Sequence, residues 1–267
     1  MLQTLKQMFA RNSGAQTLPA IPPGQRVYAA GDIHGRLDLF EALVAAIEAD
    51  DAAAGPADTT VILLGDLVDR GPGSAGVIEL AREWQQRRKV RVLAGNHEEM
   101  FLRSFTEPDM FRHFLRHGGR ETILSYGVSS YQFAKTTLEE AQSLMNAVVP
   151  LQDRAFLEGF EDMIAIGDYV FVHAGIDPRV PLQEQKRHDL RWIREPFLSH
   201  PDPHELVVVH GHTIRDAPDD CGNRIGIDTG AFMSGRLTAL ALEGTERRYL
   251  VAASDENGAV NTSAFAL

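Results

Sequence analysis

The sequence has a single cysteine, comparatively few basic residues and no long apolar run. Cys221 is the only cysteine among 267 residues, which excludes a disulfide within the chain and favours a reducing compartment. Lysine and arginine together number 26 against 37 aspartate and glutamate residues, and the formal net charge is −11. This acidic balance argues against nonspecific binding of nucleic acid. It leaves room for an anionic substrate, because bound cations reverse the local field.

No apolar stretch approaches the roughly 20 residues that a helix needs to span a bilayer. Residues 1–16 carry Lys6 and Arg11 but no continuous apolar core of the signal-peptide type. We therefore expect a soluble, cytoplasmic protein that has neither a membrane nor a nucleic-acid partner. The oligomeric state stays open, because the sequence shows no heptad pattern and no long exposed apolar face.

The first half of the chain alternates predicted strands and helices after a proline-rich start. We expect residues 1–24 to form an N-terminal arm and residues 25–267 a single domain. Strands and helices that alternate at this spacing indicate βαβ units and a parallel sheet. Residues 101–158 show helical patterns without a strand, and we expect a helical cap there, outside the sheet. The strands are predicted at residues 27–31, 60–65 and 90–95, and the helices at 37–49, 74–88 and 98–105.

The second half of the chain is rich in strand patterns. Gly167 and Asp168 indicate a two-residue hairpin turn between two of them. The chain is therefore predicted to have an α/β fold, a layered α/β/β/α sandwich of two mixed sheets, the first mainly parallel and the second more antiparallel. Strands are predicted at residues 160–166, 169–173, 206–210, 224–227, 237–242 and 249–253, with a helix at 188–198.

Five short polar clusters each follow a predicted buried strand. They supply Asp, His and Asn side chains, whose oxygen and imidazole nitrogen atoms suit divalent metals. In open α/β sheets, ligands bind at the ends of strands. The sequence therefore predicts an assembled metal site. The clusters are Gly31-Asp32-Ile33-His34-Gly35, Gly65-Asp66-Leu67-Val68-Asp69-Arg70-Gly71, Gly95-Asn96-His97-Glu98, His173-Ala174-Gly175 and Gly211-His212-Thr213.

Taken singly, each cluster also has a structural interpretation. Asp32 and His34 are two residues apart, so an extended chain points both side chains to one ion, yet a solvated turn would look the same. Asp69 and Arg70 could form a weak turn salt bridge, although the planar donor fork of Arg70 also fits phosphate oxygens. His97 points away from the ligand side, which suits a general acid that Asp69 orients.

The order of these motifs resembles that of the phosphoprotein phosphatase branch of the calcineurin-like metallophosphoesterases, over about residues 27–242. The segments LRWIRE at 190–195 and IDTGAFMSGRLTAL at 227–240 look especially like the bacterial and phage-encoded protein phosphatases. The resemblance implies the layered fold and a site for two divalent ions. Manganese is the expected metal, with iron, zinc or magnesium as alternatives.

The resemblance also implies roles for single residues. It places Asp32 and His34 on the first metal and makes Asp66 a bridge between both. His97 and Asp69 would form the acid pair. The second metal would be held by Asn96, His173 and His212, and the substrate phosphate would be bound by Arg70, Arg194 and Asn96.

The activity implied is that of a serine/threonine protein phosphatase, which hydrolyses a phosphomonoester of a phosphoprotein directly with a hydroxide held by the two metals. Symmetrical diadenosine tetraphosphate hydrolases resemble this plan but typically lack the His of the first motif and the Asp of the second. This chain keeps His34 and Asp69. A symmetrical dinucleoside tetraphosphatase, or another small-molecule phosphoesterase of the superfamily, is the alternative. A catalytically silent phosphate-binding module is a remote one.

A different class is suggested by Asp228-Thr229-Gly230, the tripeptide of aspartic proteases. That chemistry needs two carboxylates that share a proton. A single copy of the tripeptide would therefore require a symmetric dimer, and the five polar clusters would have no role in it.

Overall fold

Two mixed β-sheets face each other in residues 18–266, the part of the chain that the computed structural model describes. The prediction of a layered α/β/β/α sandwich is confirmed. The first sheet has six strands in the order β11-β10-β9-β1-β2-β3. Its strands are β1 (Gln25–Ala30), β2 (Asp58–Leu63), β3 (Val90–Val92), β9 (Arg236–Glu243), β10 (Glu246–Ser254) and β11 (Val260–Phe265).

The first sheet is less parallel than expected. Strands β1, β2 and β3 pair in parallel, as the βαβ pattern predicts. On the other side of β1, strand β9 pairs antiparallel with it, and β10 and β11 continue the sheet in the same sense. The prediction of a mainly parallel first sheet is therefore wrong, because the last strands of the chain return to the free edge of β1. The mostly exposed strand β11 has no clear hydrophobic alternation, and it was not anticipated.

The second sheet has five strands in the order β4-β5-β6-β8-β7. Strands β4 and β5 form a hairpin in which Ile166 pairs with Tyr169, so the predicted two-residue turn at Gly167 and Asp168 is confirmed. Strands β5, β6 and β8 run parallel, and β7 adds an antiparallel edge. Its strands are β4 (Met163–Ile166), β5 (Tyr169–Val172), β6 (Val207–His210), β7 (Asp219–Asp220) and β8 (Arg224–Gly226).

Helices cover the outer faces of both sheets. A kinked segment spans Leu115–Gly119, in which His117 and Gly118 have non-helical backbone angles, and a 3₁₀ turn spans Leu182–Glu184. In residues 18–266, no helix has the length and apolar character that a membrane span requires. The α-helices are α1 (Leu37–Ala54), α2 (Ser74–Arg87), α3 (Asn96–Ser104), α4 (Pro108–Phe114), α5 (Arg120–Ser125), α6 (Ser130–Phe133), α7 (Leu138–Val148), α8 (Leu151–Glu158), α9 (Arg187–Trp192) and α10 (Ala231–Ser234).

Alternation along each strand divides the apolar side chains between two cores. In β1, Val27 and Ala29 belong to the cluster between the sheets, whereas Tyr28 and Ala30 belong to the cluster under the helices. This is the two-residue period of a strand that is buried on both faces. The layered packing brings the carboxyl ends of strands from both sheets to one edge of the molecule.

The helices of residues 101–158 share a core with the first sheet. Phe101 and Phe114 stack with ring centroids 5.1 Å apart, and Met145 joins the cluster that contains Tyr28 and Leu63. The cap is therefore anchored to the layer beneath it by buried apolar contacts.

The predicted N-terminal arm is only partly within the described residues, since residues 1–17 lie outside them. Residues 18–24 have no regular secondary structure. Ile21 is nevertheless buried, and its backbone N–H donates to the carbonyl of Gly244 at 2.8 Å. The division of the chain into an arm and a single domain stays a prediction.

Arg26 is a fully buried cation that joins three elements near the start of β1. Its guanidinium donates to Glu243 at the end of β9 (2.8 Å) and to Asp51 in α1 (2.7 Å). It also donates to the carbonyl of Gly55, just past the end of α1, at 3.1 Å. The nearby carboxylates hold the pKa of Arg26 above its usual value, against the effect of burial.

Replacing Arg26 should destabilise the fold. We expect Arg26→Met to lower the free energy of unfolding by about 2–4 kcal/mol, because Asp51 and Glu243 would lose a buried partner. Lys89→Met removes an exposed ion pair with Asp58 and should cost less than about 1 kcal/mol. Urea denaturation measures both variants. Equal unfolding free energies for the two variants would contradict a stabilising role for Arg26.

Candidate metal centre

The six predicted metal ligands converge at the edge where strands of both sheets end. All are buried, with at most 9% of any one exposed. This is the position at which ligands bind in open α/β sheets. The six are Asp32 and His34 after β1, Asp66 after β2, Asn96 after β3, His173 after β5 and His212 after β6.

Asp66 lies at the centre of these side chains. Its Oδ2 atom is 3.6 Å from Nε2 of His34 and 3.4 Å from Nε2 of His173. Two groups of three donors include it, and the donor atoms of each group lie within 4.8 Å of one another: His34, Asp66 and His97, and Asp66, His173 and His212. A carboxylate that two donor groups share can bridge two ions.

The grouping differs from expectation at two residues. His97, expected to act as an acid, has its Nε2 atom 3.9 Å from Asp66 Oδ2 and falls in the first donor group. Asp32, expected to be a ligand, is not in either group, and both its oxygens accept from the backbone N–H of His212 at 3.1 Å. The ligand role of Asp32 and the acid role of His97 stay predictions.

The histidine tautomers suit metal binding. Nδ1 of His34 donates to the carbonyl of Val68 and Nδ1 of His173 donates to that of Leu64, both at 2.8 Å. Each contact points Nε2 toward the other donors, where His34 Nε2 accepts from Arg70 at 2.9 Å and His173 Nε2 lies 3.0 Å from Asn96 Oδ1. In metal sites a second hydrogen bond orients the imidazole in the same way. Nε2 of His212 is buried and has no hydrogen-bond partner within residues 18–266. An unpaired buried nitrogen of this kind fits a bound cation.

The electrostatics of the site favour positive charge. Burial alone would raise the pKa of Asp66, but the charge of His173 foremost holds it well below its usual range. Against its own burial, Asp66 raises the pKa of His173 to about 10. Burial lowers the pKa of His34 well below its usual value and that of His212 to about 3. The ionised Asp66 and the neutral His34 and His212 are in the protonation states that a metal site needs. His173, by contrast, would give up to an ion the proton that Asp66 stabilises.

Asp69 and Arg70 both contact His97 at the edge of this group of donors. Nδ1 of His97 lies 2.6 Å from Oδ2 of Asp69, and both residues are buried. The Arg70 guanidinium lies 2.9 Å from Nε2 of His34 and 3.0 Å from Nε2 of His97, and it packs over the Phe232 ring at 4.6 Å. The predicted partnership of His97 with Asp69 is thus present as a contact. Arg194 is exposed at the rim, and its charge contributes, after burial, to the low pKa of His212.

The loops that carry these residues have an unusual backbone. Five residues other than glycine have a left-handed φ within residues 18–266, and all five belong to the site. Each such residue costs about 1–3 kcal/mol and persists only where its surroundings enforce it. They are His34 (47°), Asp66 (50°), Asp69 (73°), Arg70 (69°) and His212 (61°).

Glu98 stabilises these loops, a role that was not predicted from the sequence. Its buried carboxylate accepts from the backbone N–H groups of Asp66 (2.9 Å), Leu67 (2.7 Å) and Gly95 (2.9 Å). Burial raises its pKa to about 7, and the charge of Asp66 adds to the effect. The available signal was a glutamate three residues after Gly95, at the position from which its side chain reaches back to the N–H at the start of the helix.

Thr122 and Asp228 are two further residues at the site that the sequence did not reveal. The Thr122 hydroxyl donates to Oδ1 of Asp69 at 2.6 Å. Asp228 is buried, its Oδ1 accepts from the backbone N–H of Gly230 at 2.9 Å, and its charge, after burial, contributes to the raised pKa of Asp32. Burial raises the pKa of Asp228 to about 6. Asp228 therefore lies near Asp32 at the metal centre, and the symmetric dimer that an aspartic protease would require stays a prediction.

Comparison with known protein families gives one match that covers most of the chain. The family described as calcineurin-like phosphoesterase matches residues 25–229. The solved structure of a cold-active protein tyrosine phosphatase from a psychrophilic Shewanella has a TM-score of 0.55 at 19% sequence identity, and the match covers 94% of this chain and 88% of that one. At this identity the likeness shows the fold.

Two kinds of characterised relative are similar to this chain to nearly the same degree. The asymmetrical bis(5'-nucleosyl)-tetraphosphatase PrpE of Anoxybacillus flavithermus is 28% identical over 233 residues, which cover 79% of this chain and 87% of that protein. Serine/threonine-protein phosphatase 1 of Salmonella typhimurium is 27% identical over 225 residues, which cover 82% and 93%.

Glu98→Gln should weaken both the site and the fold. Glutamine can accept through one oxygen only, so its amide group would face backbone N–H donors that Glu98 now binds. We expect a loss of about 1–3 kcal/mol in unfolding free energy and about 10–100-fold weaker metal binding. Glu107→Gln, at an exposed position paired with Arg103, is the control. Denaturation and calorimetric metal titration measure the two effects. A Glu98→Gln protein that matches the control in both would refute this role.

Proposed function

This chain belongs to the calcineurin-like phosphoesterases, and within that family we propose that it acts as a serine/threonine protein phosphatase. The family consists of hydrolases with a dimetal centre. The observation that carries the finer proposal is the buried contact of 2.6 Å between His97 and Asp69, beside the donor fork of Arg70.

The leaving group explains why this contact favours a phosphoprotein. Serine and threonine leave as alkoxides, which are poor leaving groups and need a proton as the phosphorus–oxygen bond breaks. When a dinucleoside polyphosphate is hydrolysed, the leaving group is a nucleotide, which departs as a stable phosphate anion. Its departure therefore depends less on a donated proton. A histidine oriented by a buried carboxylate, in this chain His97 with Asp69, is therefore of most use on a phosphomonoester of an alcohol.

The donor set fits two divalent ions that share Asp66. We propose that Asp32, His34 and Asp66 hold the first ion, and that the second is held by Asp66, Asn96, His173 and His212. Mixed oxygen and imidazole donors suit manganese, iron or zinc, and manganese is our first choice. Such ions act as Lewis acids on the phosphoryl oxygens and activate the attacking water.

The chain's own residues supply the remaining chemistry. Arg70 turns two N–H groups toward the donor set, where they can bind phosphoryl oxygens in pairs, and Phe232 packs against one face of its guanidinium. Asn96, whose Oδ1 lies 3.0 Å from His173 Nε2, can donate to the same phosphate through its amide nitrogen. Arg194 adds positive charge at the exposed rim. His97 holds its Nδ1 proton toward Asp69, and its Nε2 lies 3.0 Å from Arg70. Once the substrate phosphate has drawn Arg70 away and Nε2 has taken up a proton, His97 can deliver that proton to the leaving oxygen.

Hydrolysis of a dinucleoside tetraphosphate is the second candidate. It is favoured by the similarity to the PrpE tetraphosphatases, which is nearly the same as the similarity to the protein phosphatase. The same donor set would serve both reactions, since both break a phosphorus–oxygen bond at a metal-bound phosphoryl group.

Parallel kinetics should separate the two candidates. With Mn²⁺ supplied, we expect kcat/KM for a phosphoserine peptide to exceed that for diadenosine tetraphosphate by about tenfold or more, because the acid pair accelerates the loss of a poor leaving group. Phosphate release and nucleotide chromatography measure the two reactions. The reverse ranking would support the tetraphosphatase, and turnover of neither substrate would refute both.

His97→Asn should slow the reaction in a way that depends on the leaving group. We expect a loss of about 10²–10⁴-fold on the phosphoserine peptide and a much smaller loss on p-nitrophenyl phosphate, whose leaving group needs little protonation. The metal content should be unchanged, and elemental analysis measures it. His188→Asn, at an exposed position in α9, is the control. If His97→Asn hydrolyses the peptide at the wild-type rate, the acid role is refuted. If the variant loses metal, His97 is a metal ligand instead.

A further inference from the structure

The cap contacts the turn that carries Asp69 and Arg70. The N–H of Arg70 donates to the carbonyl of Gly118, in the kinked segment Leu115–Gly119 of the cap, at 3.1 Å. The N–H of Asp69 lies 2.9 Å from the hydroxyl of Thr122, in α5, and 3.0 Å from that of Ser74. The Thr122 hydroxyl in turn donates to Oδ1 of Asp69 at 2.6 Å. Backbone and side chain of this turn are therefore both bound by the cap.

The approach of the two segments is too close for an ordinary residue at position 118. Gly118 has a φ of +103°, and a Cβ atom placed on it would lie 2.6 Å from the backbone nitrogen of Arg70. Asp69 and Arg70 themselves have left-handed φ values of 73° and 69°. The cap thus packs directly on a strained turn, and its hydrogen bonds are among the contacts that maintain the strain.

We propose that Thr122 is a positioning residue for the reaction, which fixes the Asp69 carboxylate so that it orients His97. Asp69 has two oxygens with separate partners: Oδ1 binds the Thr122 hydroxyl and Oδ2 binds His97 Nδ1. All three side chains are buried, with no more than 1% of any exposed. The inference rests on the proposed roles of Asp69 and His97.

A single hydroxyl performs two tasks here. Thr122 donates its only proton to the carboxylate, and its oxygen accepts the N–H of the same residue, Asp69. Without that hydroxyl, Oδ1 would lack a donor and the carboxylate could rotate away from His97. Misplacement of a catalytic group by about 1 Å can cost about 100-fold in rate. The loss should fall on kcat, because neither the donor set nor Arg70 contacts the Thr122 side chain.

Thr122→Val removes the hydroxyl at nearly constant shape, and Thr122→Ser retains it. We expect Thr122→Val to lower kcat on the phosphoserine peptide by about 10–100-fold with KM and metal content unchanged. The loss on p-nitrophenyl phosphate should be smaller, and Thr122→Ser should restore most of the rate. Thr136→Val is the matched control, since that cap hydroxyl donates only to the Phe133 carbonyl. Thr122→Ala is measured in parallel, so that the result does not depend on one variant folding.

Combination with Asp69→Asn tests whether Thr122 acts through Asp69. Residues that act as a unit are not additive, so adding Thr122→Val to Asp69→Asn should cause no further loss of kcat. An additive loss, or equal losses on both substrates, would overturn the inference.

A spectroscopic measurement separates this inference from the proposed function. In the zinc-loaded protein, the Nδ1–H of His97 should give a downfield proton resonance, identified by its disappearance in His97→Asn. We expect the resonance in the wild-type, Thr122→Ser and Thr136→Val proteins, and its loss or shift in Thr122→Val. An unchanged resonance in Thr122→Val overturns the inference whatever the substrate. If the phosphopeptide is not hydrolysed, the proposed function is overturned. The proton resonance of His97 can still be measured in that case, so it tests the role of Thr122 independently.

Discussion

The hydrogen bonds of the Glu98 carboxylate to three backbone N–H groups are the interaction on which the metal centre depends. They join the loop after β2 to the start of α3, so that Asp66 and Asn96 approach from neighbouring strands. The same loop contains Asp66, Asp69 and Arg70 in left-handed conformations. Strain of that kind persists only where other contacts over-determine the backbone. Glu98 supplies such contacts to the backbone at Asp66 and Leu67. The cap supplies them to the backbone of Asp69 and Arg70 through Thr122 and Gly118.

The concentration of buried carboxylates gives the site its chemistry. Asp32, Asp66, Asp69 and Asp228 all lie within a few per cent of full burial. Burial raises the pKa of three of them, whereas Asp66 stays ionised beside His173. An arrangement of this kind is costly unless positive charge compensates it. The Arg70 guanidinium provides part of such charge and bound divalent cations would provide the rest, and a phosphate requires the same positive charge. An acidic protein can therefore bind an anion at this point.

Much of the site could be predicted from the sequence because its ligands follow strands that are visible as apolar runs. Asp32, His34 and Asp66 each come directly after such a run, and the carboxyl ends of those strands meet at one edge. Glu98 was visible in a motif but acquired no role, since its partners are backbone groups that carry no sequence signal. Thr122 lies 53 residues from Asp69 in a helical region with no motif, and only tertiary packing brings them together.

The fold shows the same division between local and distant information. Strands β1 to β3 and their helices were predictable because hydrophobic periodicity is a local property. The pairing of β9 with β1 joins residues more than 200 positions apart, for example Ala30 with Ala239, and periodicity does not specify which edge a late strand will join. The first three strands alone would form a parallel sheet, and the later strands β9, β10 and β11 make it mixed.

Substrate choice within this family depends on a different physical quantity from metal binding. In our proposal the donor set around Asp66 would activate either kind of phosphoryl group, and relatives with tetraphosphatase and protein phosphatase names are similar to this chain to nearly the same degree. The two reactions differ in how much the leaving oxygen needs a proton, and in our proposal His97 and Asp69 meet that need. If Thr122 fixes Asp69, then the cap determines how the proposed acid, His97, is oriented, in addition to packing on the first sheet. Changes in the cap could then shift a phosphoesterase between alcohol and nucleotide leaving groups without altering a single metal ligand.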